Sequence, residues 1–250
     1  MIEVRQISKR FGTSVVLEDI SVTFTKGITN LIIGQSGSGK TVLLKSIVGL
    51  HSVDEGEIWF DDRLYNTLSF NAKKEIRKEI GMLFQGAALF DSLTVEQNIM
   101  FPLDMFTTMT RKEKLNRVDF CLSRVNIHNA NTLFPSELSG GMKKRVAIAR
   151  AIALNPRYLF CDEPNSGLDP QTGIVIDNLI SDITKEYNMT TIVNTHDMNS
   201  VIEIGEKVVF IHEGRKLWEG SNSDIMHTTC SELNDFVFAT SLAKKIKEQP

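Results

Sequence analysis

The sequence predicts an α/β protein with a parallel sheet at its core, an antiparallel β subdomain and an inserted α-helical subdomain. Apolar or β-branched runs at residues 29–33, 158–161 and 190–194 are typical of buried parallel strands. Apolar residues at helical spacing follow the first two of these runs. Residues from about 86 to 156 contain mainly helix signals, and we therefore expect a helical insertion there.

The segment before the first buried strand predicts the antiparallel subdomain. Residues 2–25 contain short β-type runs that are broken after Phe11 and again at Asp19. Two more strands are expected at residues 57–61 and 81–84.

Three helices are expected in the first half of the chain. One covers residues 41–50, where apolar side chains recur at helical spacing. Thr94 and Gln97 fit a capping box, which marks the start of the second. The third is amphipathic and is marked by Leu115, Val118, Leu122 and Val125.

The second half of the chain adds helices and a hairpin. A helix is expected over residues 142–154. Another begins at Pro170, because Asp169 before it is a good N-cap and proline suits the first helical position. Residues 207–212 and 215–219 predict a β-hairpin.

These elements divide the chain into one large domain and a tail. The domain is expected at residues 1–230, with the helical subdomain inserted in it. Residues 231–250 predict a C-terminal amphipathic helix, with Phe238, Leu242 and Ile246 on one side.

Composition limits the classes of function. The chain has 250 residues, 42% hydrophobic and 24% charged, with a net charge of −3. This balance predicts no general attraction to nucleic acid. Three widely spaced cysteines suit a reducing compartment, and no apolar run has signal-peptide or membrane-spanning length. We expect a cytoplasmic protein that reaches a membrane only through a partner.

Residues 34–41 read GQSGSGKT and match the P-loop pattern G-x-x-x-x-G-K-[ST] at every fixed position. Glycines let backbone N–H groups converge on phosphate oxygens, and a lysine places positive charge at the β- and γ-phosphates. A strand is predicted before the loop and a helix after it, as the motif requires. The candidate nucleotide-binding residues are Gly34, Gln35, Ser36, Gly37, Ser38, Gly39, Lys40 and Thr41.

Two carboxylates follow the apolar strand at residues 158–161. Asp162 is a candidate Mg²⁺ ligand together with the Thr41 hydroxyl. Glu163 is a candidate general base that activates water. An Asp-Glu pair at a strand end is often only solvated, but the P-loop upstream favours the catalytic interpretation.

Each of three further side chains can have either a role at the nucleotide site or an ordinary structural role. Gln85 can contact Mg²⁺ or the attacking water, or can be an ordinary surface residue. His196 can orient the water or the γ-phosphate, or can be a satisfied polar residue at a strand end. Phe11 can stack on adenine or belong to the core.

A second candidate phosphate cradle lies about a hundred residues downstream. Ser139, Gly140 and Gly141 precede a predicted helix, and a helix N-terminus preceded by such a turn suits an anion. The basic run at residues 143–145 resembles a nucleic-acid patch, but we interpret it as the solvated face and first turn of that helix.

The order of these motifs resembles the ATP-binding cassette (ABC) ATPases over roughly residues 1–220, whose fold has a P-loop NTPase (RecA-like) core. The resemblance implies that Phe11 stacks on adenine and that residues 34–41 are the Walker A loop. Gln85 is similar to the Q-loop glutamine, and the segment from Leu138 to Met142 resembles the signature motif. That segment ends in Met142, where the family usually has Gln.

The later motifs extend the same resemblance. Asp162 and Glu163 resemble the Walker B acid and the catalytic carboxylate, and His196 resembles the switch histidine. Asp169 belongs to a sequence that resembles the D-loop, which implies that it contacts the nucleotide. The implied cofactors are ATP and Mg²⁺, with Thr41, Gln85 and Asp162 as metal ligands. The implied assembly is a homodimer of cassettes, in which Ser139, Gly140 and Gly141 of one subunit close over ATP bound to the other.

A finer resemblance concerns the transported substrate. Residues 81–100 and 137–150 are similar to the cassettes of Mce/Mla-type phospholipid transporters. This resemblance implies an integral-membrane permease and an MCE-domain lipid-binding protein as partners, at the cytoplasmic face of the inner membrane. The main expectation is therefore an ATPase that energises phospholipid transport.

Three alternatives remain beside this expectation. One is the ATPase of an ABC importer for a small polar solute such as an amino acid. Another is a soluble ABC protein that acts on nucleic acid or ribosomes, which the single P-loop and acidic balance disfavour. A kinase-like P-loop enzyme would have no use for the segment at residues 137–142.

Overall fold

The centre of the molecule is a six-stranded sheet, seen in a computed structural model that describes residues 1–238. In spatial order its strands are β10 (Arg215–Gly220), β9 (Lys207–His212), β3 (Thr29–Ile33), β8 (Thr190–Asn194), β7 (Tyr158–Asp162) and β6 (Ile80–Leu83). The last five of these run parallel, and β10 pairs antiparallel with β9. The predicted parallel core and the hairpin are confirmed.

A second sheet is antiparallel and has four strands. Its order is β2 (Ser14–Phe24), β1 (Ile2–Phe11), β4 (Glu55–Phe60) and β5 (Arg63–Leu64). The predicted break at Asp19 is wrong, because β2 continues through this residue. Asp19 takes a left-handed φ of 49°, and the β1–β2 register shifts next to it. The irregularity is therefore a bulge that bends the strand.

Helices cover both faces of the parallel sheet or follow its strands. They are α1 (Lys40–Ile47), α2 (Phe70–Lys78), α3 (Val95–Phe106), α4 (Arg111–Arg124), α5 (Gly140–Ile152), α6 (Pro170–Glu186), α7 (Met198–Ile204), α8 (Asn222–Ile225) and α9 (Ser231–Val237). Short 3-10 turns lie at Tyr65–Thr67 and Pro135–Glu137. Helices α3, α4 and α5 occupy the predicted insertion, whereas α2, α7 and α8 were not predicted.

Local capping chemistry fixes where three of these helices begin. Thr94 caps α3 in a capping box with Gln97, as the sequence predicts. Asp169 caps α6, and Pro170 takes its first position. Ser139 caps α5 by accepting a hydrogen bond from the Met142 N–H.

Two hydrophobic clusters hold the layers together, and β3 belongs to both. Leu31 and Ile33 pack in the cluster that includes the helical insertion. Ile32, which points to the opposite face, packs between the two sheets. Because both faces of the sheet are covered, its central strands are fully buried.

The carboxyl ends of the parallel strands meet at one edge of the sheet, which is where ligands of open α/β sheets bind. The loop after β3, Gln85 after β6, the end of β7 and the end of β8 all lie there. Helix α9 contains the first part of the predicted C-terminal helix, whereas Leu242 and Ile246 lie outside the described residues. Among residues 1–238, no helix has both the length and the apolar character needed to cross a membrane.

Candidate active site

The loop between β3 and α1 has the backbone of a phosphate cradle. Gly34 has a φ of 149°, and a Cβ there would lie 2.1 Å from the Ile211 carbonyl oxygen. Gly39 has a φ of 103°, and a Cβ there would lie 2.9 Å from the Val16 carbonyl oxygen. Only glycine fits these two positions, because both the backbone conformation and the space exclude a side chain.

Lys40 is buried at the centre of this loop, with 5% of its surface exposed. Its Nζ donates hydrogen bonds of 2.8 Å to the carbonyl oxygens of Gly34 and Gln35. Burial lowers the pKa of the ammonium, and the carboxylates of Glu163 and Asp162 oppose that shift. The carbonyl oxygens of the loop itself therefore fix the position of the lysine ammonium group.

Thr41 and Asp162 form the candidate metal site. The Thr41 hydroxyl donates to Asp162 Oδ1 over 3.3 Å. Neighbouring ligands of an octahedral Mg²⁺ lie about 3 Å apart, since the metal–oxygen bonds are roughly 2.1 Å. One carboxylate and one hydroxyl, with oxygens at this separation, fit a cation that takes its remaining ligands from phosphates and water.

Asn194, which sequence reasoning missed, holds this pair in place. It ends β8, and its Nδ2 donates to Asp162 Oδ1 over 2.6 Å and to Thr41 Oγ1 over 3.1 Å. Its own Oδ1 is buried without a partner among the described residues. The only signal in the sequence was a polar residue at the end of an apolar strand.

Glu163 lies between His196 and Gln85, the two residues predicted to contact or orient the attacking water. Its Oε1 is 3.1 Å from His196 Nδ1, and its Oε2 accepts a 3.0 Å hydrogen bond from Gln85 Nε2. The backbone of Glu163 has a left-handed φ of 48°, which is strained for a residue with a side chain. Strain of this kind persists only where surrounding structure enforces it, and it is concentrated at functional sites.

Gln85 does not contact the predicted metal ligands. Its amide nitrogen donates to Glu163 and, over 3.3 Å, to Ser166 Oγ. The structure therefore brings Gln85 to the candidate general base, whereas Thr41 and Asp162 pair with Asn194 instead. Its predicted roles as a metal ligand and in positioning the attacking water stay predictions, and the structure places it beside Glu163 rather than beside Thr41 or Asp162.

Phe11 is exposed, which excludes the core interpretation. Its ring is 46% exposed and makes an edge contact with His51, with ring centroids 5.4 Å apart. Lys9 Nζ lies 5.3 Å from the ring centroid. An exposed aromatic at the end of β1 can present one face to a nucleobase.

The signature segment faces solvent. Ser139 and Gly140 are exposed at the N-terminus of α5, where free N–H groups and the helix dipole favour an anion. A Cβ on Gly141 would lie 2.6 Å from Thr172 Cγ2, because α5 starts directly against the first turn of α6. The Ser139 oxygen accepts from its own helix, which leaves the hydroxyl hydrogen available to donate.

Asp169 serves its own helix in this structure. Both of its carboxylate oxygens are engaged by Thr172, through the backbone N–H at 3.0 Å and the hydroxyl at 2.6 Å. These hydrogen bonds lower the pKa of the carboxyl group. Its predicted contact with nucleotide stays a prediction.

The basic run at residues 143–145 is not uniformly solvated, contrary to the prediction. Lys143 and Arg145 are partly exposed, but Lys144 is buried, with 5% of its surface exposed. Its Nζ donates to the backbone oxygens of Gln85 and Glu163. The sequence did not reveal that Lys144 is buried, because all three residues of the run are positively charged and none of them marks an apolar face of the helix.

Comparison with known proteins decides the family. The sequence pattern of the family described as ABC transporter matches residues 17–166. The chain belongs to this family. As an ABC cassette it is an ATPase, with ATP and Mg²⁺ as its cofactors.

Curated relatives of this ABC ATPase are named as methionine import ATP-binding proteins, MetN. The protein from Campylobacter jejuni is 36% identical over 95% of this chain and 75% of its own length. The protein from Clostridioides difficile is 39% identical over 90% of this chain and 70% of its own length.

Solved structures give the same fold. The ATP-binding cassette MJ0796, solved as a dimer in a post-hydrolysis state with ADP and Pi, has a TM-score of 0.80 at 32% identity, covering 89% of this chain and 99% of that one. The cassette cbiO1 from Clostridium perfringens has a TM-score of 0.84 at 27% identity and covers 98% of each chain. The predicted P-loop NTPase core is thereby confirmed.

The finer resemblance to Mce/Mla-type cassettes is not supported. The curated relatives above are named for methionine import, and none is named for phospholipid transport or for an MCE-domain partner. Residues 81–100 and 137–150, on which that expectation depended, cover most of β6, the first half of α3 and most of α5. They build the cassette itself and indicate its family rather than its substrate.

Proposed function

We propose that this chain is the ATP-hydrolysing subunit of an ABC importer for a small polar solute such as an amino acid. The observation that carries the proposal is the similarity, at 36–40% identity over 87–95% of the chain, to relatives named for methionine import. The importer was the alternative to phospholipid transport, and it now becomes the main interpretation.

In the proposed site, one chain supplies the half that contains the Walker A loop. Backbone N–H groups of the Walker A loop and the Lys40 ammonium hold the β- and γ-phosphates. Phe11 stacks on the adenine. Thr41 and Asp162 are the residues that would hold Mg²⁺, which would supply positive charge to offset that of the phosphates.

Glu163 is the proposed general base. Its two carboxylate oxygens face His196 and Gln85, so a water held by these three side chains can lose its proton to Glu163 as it attacks. His196 and Gln85 orient that water and the γ-phosphate. Catalysis of this kind consists mainly of positioning and electrostatics.

The second half of the site comes from another copy of the chain. In the proposed homodimer, the Ser139 hydroxyl and the N–H groups of Gly140 and Gly141 close over ATP bound to the partner's Walker A loop. The exposure of Ser139 and Gly140 in the single chain supports this role, because an exposed helix N-terminus is free to contact an anion outside its own subunit. Loss of the γ-phosphate then releases the dimer.

A groove beside the Q-loop supports a membrane partner. It has a volume of about 280 Å³ and lies between β6, α3 and α5. Phe90, Phe101 and Phe106 line it and are each roughly two-fifths exposed. Exposed aromatics around a concave surface are typical of protein-binding sites. We propose that a permease segment docks here, which would place the cassette at the cytoplasmic face of the inner membrane.

The test is reconstitution of the chain with its permease in lipid vesicles. We expect ATP-dependent accumulation of a labelled amino acid, with methionine as the first probe, and stimulation of ATPase activity by that solute. A matched preparation with Glu163→Gln should bind ATP without uptake. ATP-dependent movement of a fluorescent phospholipid, with no uptake of amino acids or other small polar solutes, would overturn the proposal.

A further inference from the structure

Lys144 is a buried cation that the nucleotide chemistry described above does not use. It lies in the first turns of α5, directly after the signature segment. Its neighbour Lys143 is partly exposed, and within residues 1–238 the Lys143 side chain makes no hydrogen bond or ion pair. Burial therefore selects Lys144 alone from the basic run.

Its ammonium joins two separate loops of the active site. Lys144 Nζ donates a short hydrogen bond to the Gln85 carbonyl oxygen and a longer one, of 3.4 Å, to the Glu163 carbonyl oxygen. The side chains of Gln85 and Glu163 meet each other at 3.0 Å. Lys144 thus binds the backbone carbonyl groups of Gln85 and Glu163, whose side chains are hydrogen-bonded to each other.

A contribution to folding stability does not by itself explain a buried lysine at position 144. Burial lowers the pKa of Lys144, and the nearby charges of Glu163 and Asp162 offset only part of this effect. A buried ammonium loses the favourable free energy of its hydration, which its hydrogen bonds recover only in part. An apolar residue of similar length would fill the space without this loss.

The Gln85 loop needs an external support. Ala87 and Ala88 follow it with left-handed φ values of 62° and 50°, which are strained for alanine. Arg150, also on α5, donates to their carbonyl oxygens at 2.9 and 2.8 Å. Helix α5 therefore restrains the whole loop after β6, with Lys144 at the end nearest the catalytic carboxylate.

We propose that Lys144 is a positioning residue, which holds Glu163 and Gln85 in hydrolytic geometry and couples them to the signature helix. The proposal rests on the roles proposed above for Glu163 and Gln85.

The test compares Lys144→Met with Lys143→Met. Methionine keeps the unbranched chain but removes charge and donors. We expect Lys144→Met to lower kcat roughly ten- to hundredfold, since small misplacements of catalytic groups have effects of this size. The KM for ATP and nucleotide binding should stay within about twofold, since the Walker A loop is untouched. Lys143→Met should match the wild type, and Lys144→Arg, which restores donors, should recover part of the loss.

Several results would overturn the proposal. A kcat for Lys144→Met within about twofold of wild type would do so, as would a lowered Tm with normal kcat in the folded protein. No recovery with Lys144→Arg would also contradict it. If Lys144→Met does not fold, Lys144→Gln, which is too short to reach both carbonyls, takes its place in the same comparison.

A parallel assay of Glu163→Gln separates this inference from the roles on which it rests. Normal turnover in Glu163→Gln would remove the proposed base. Loss of turnover there together with normal turnover in Lys144→Met would leave the base in place and refute only the part assigned to Lys144.

Discussion

The two regions of this chain that we propose to bind phosphate differ in how much of their structure is complete within one subunit. Around the Walker A loop, Lys40 is buried and Thr41, Asp162 and Asn194 are already connected by hydrogen bonds. Around the signature segment, Ser139 and Gly140 face solvent. The first region is prepared for its ligand inside the chain, whereas the second has donors that no part of residues 1–238 covers. The difference is expected of a site divided between two copies.

The largest expected effect tests the prepared region. Glu163→Gln keeps the shape of the side chain but removes its ability to accept a proton. We expect kcat to fall roughly 10²–10⁴-fold, the range typical of a lost general base. ATP-dependent dimerisation, measured by size-exclusion chromatography with light scattering, should persist or increase because the γ-phosphate is retained. Near-normal turnover would contradict the role given to Glu163.

A smaller effect tests the exposed region. Ser139→Ala removes a hydroxyl donor to the γ-phosphate, and hydrogen bonds to charged groups contribute about 1.5–3 kcal/mol. We expect ATP-dependent dimerisation to weaken roughly tenfold or more. Thr94→Ala is the matched control, because it removes the N-cap of α3 without changing the signature segment. Equal effects of the two substitutions would mean that only helix capping was lost.

The smallest effect concerns a buried carboxyl beneath the catalytic loop. Asp177 on α6 accepts a 2.7 Å hydrogen bond through Oδ2 from Asn165, which lies two residues after Glu163. The other carboxylate oxygen of Asp177, Oδ1, is buried without a partner among the described residues. Burial raises the pKa of Asp177 to about 6, hydrogen bonds from Ser200 and Asn165 oppose the shift, and the charges of Asp197 and Glu203 add to it.

Because this pKa is raised, the folded chain binds the proton more tightly than the unfolded chain. Stability from this group is present at low pH and is lost as pH rises toward 6. We therefore expect Asp177→Asn to raise the free energy of unfolding by roughly 1–3 kcal/mol at pH 8 and by much less at pH 4. Denaturant titrations at both pH values check this. Asp182→Asn, at an exposed position on the same helix, should change little. A pH-independent effect of Asp177→Asn would contradict the assignment.

Much of the fold could be predicted because its signals are local. The strands at Thr29–Ile33 and Thr190–Asn194 have the expected bounds, since continuous apolar runs specify buried strands. The starts of α3 and α6 follow from capping residues beside them. Helix α2 was missed because only Ile76 on it is buried, so that it lacks an apolar stripe.

The site was predictable where sequence motifs define it and not where tertiary packing does. The Walker A loop, Asp162 and Glu163 lie together at the sheet edge as expected. Asn194 and Lys144 were missed, because their roles arise from segments far apart in sequence. The expectation of phospholipid transport was not supported, because residues 81–100 and 137–150, on which it depended, form strands and helices of the cassette itself.

Mixed dimers test the division of the site most directly. Lys40→Ala disables the Walker A half. Ser139→Asp disables the signature half, since aspartate is a good N-cap that preserves the helix but repels phosphate. A dimer of one chain of each kind contains one site with both halves intact only if the site is shared. We expect the mixture to release phosphate clearly faster than either variant alone, in a single-turnover assay. A rate no higher than the mean of the two variants would contradict a shared site.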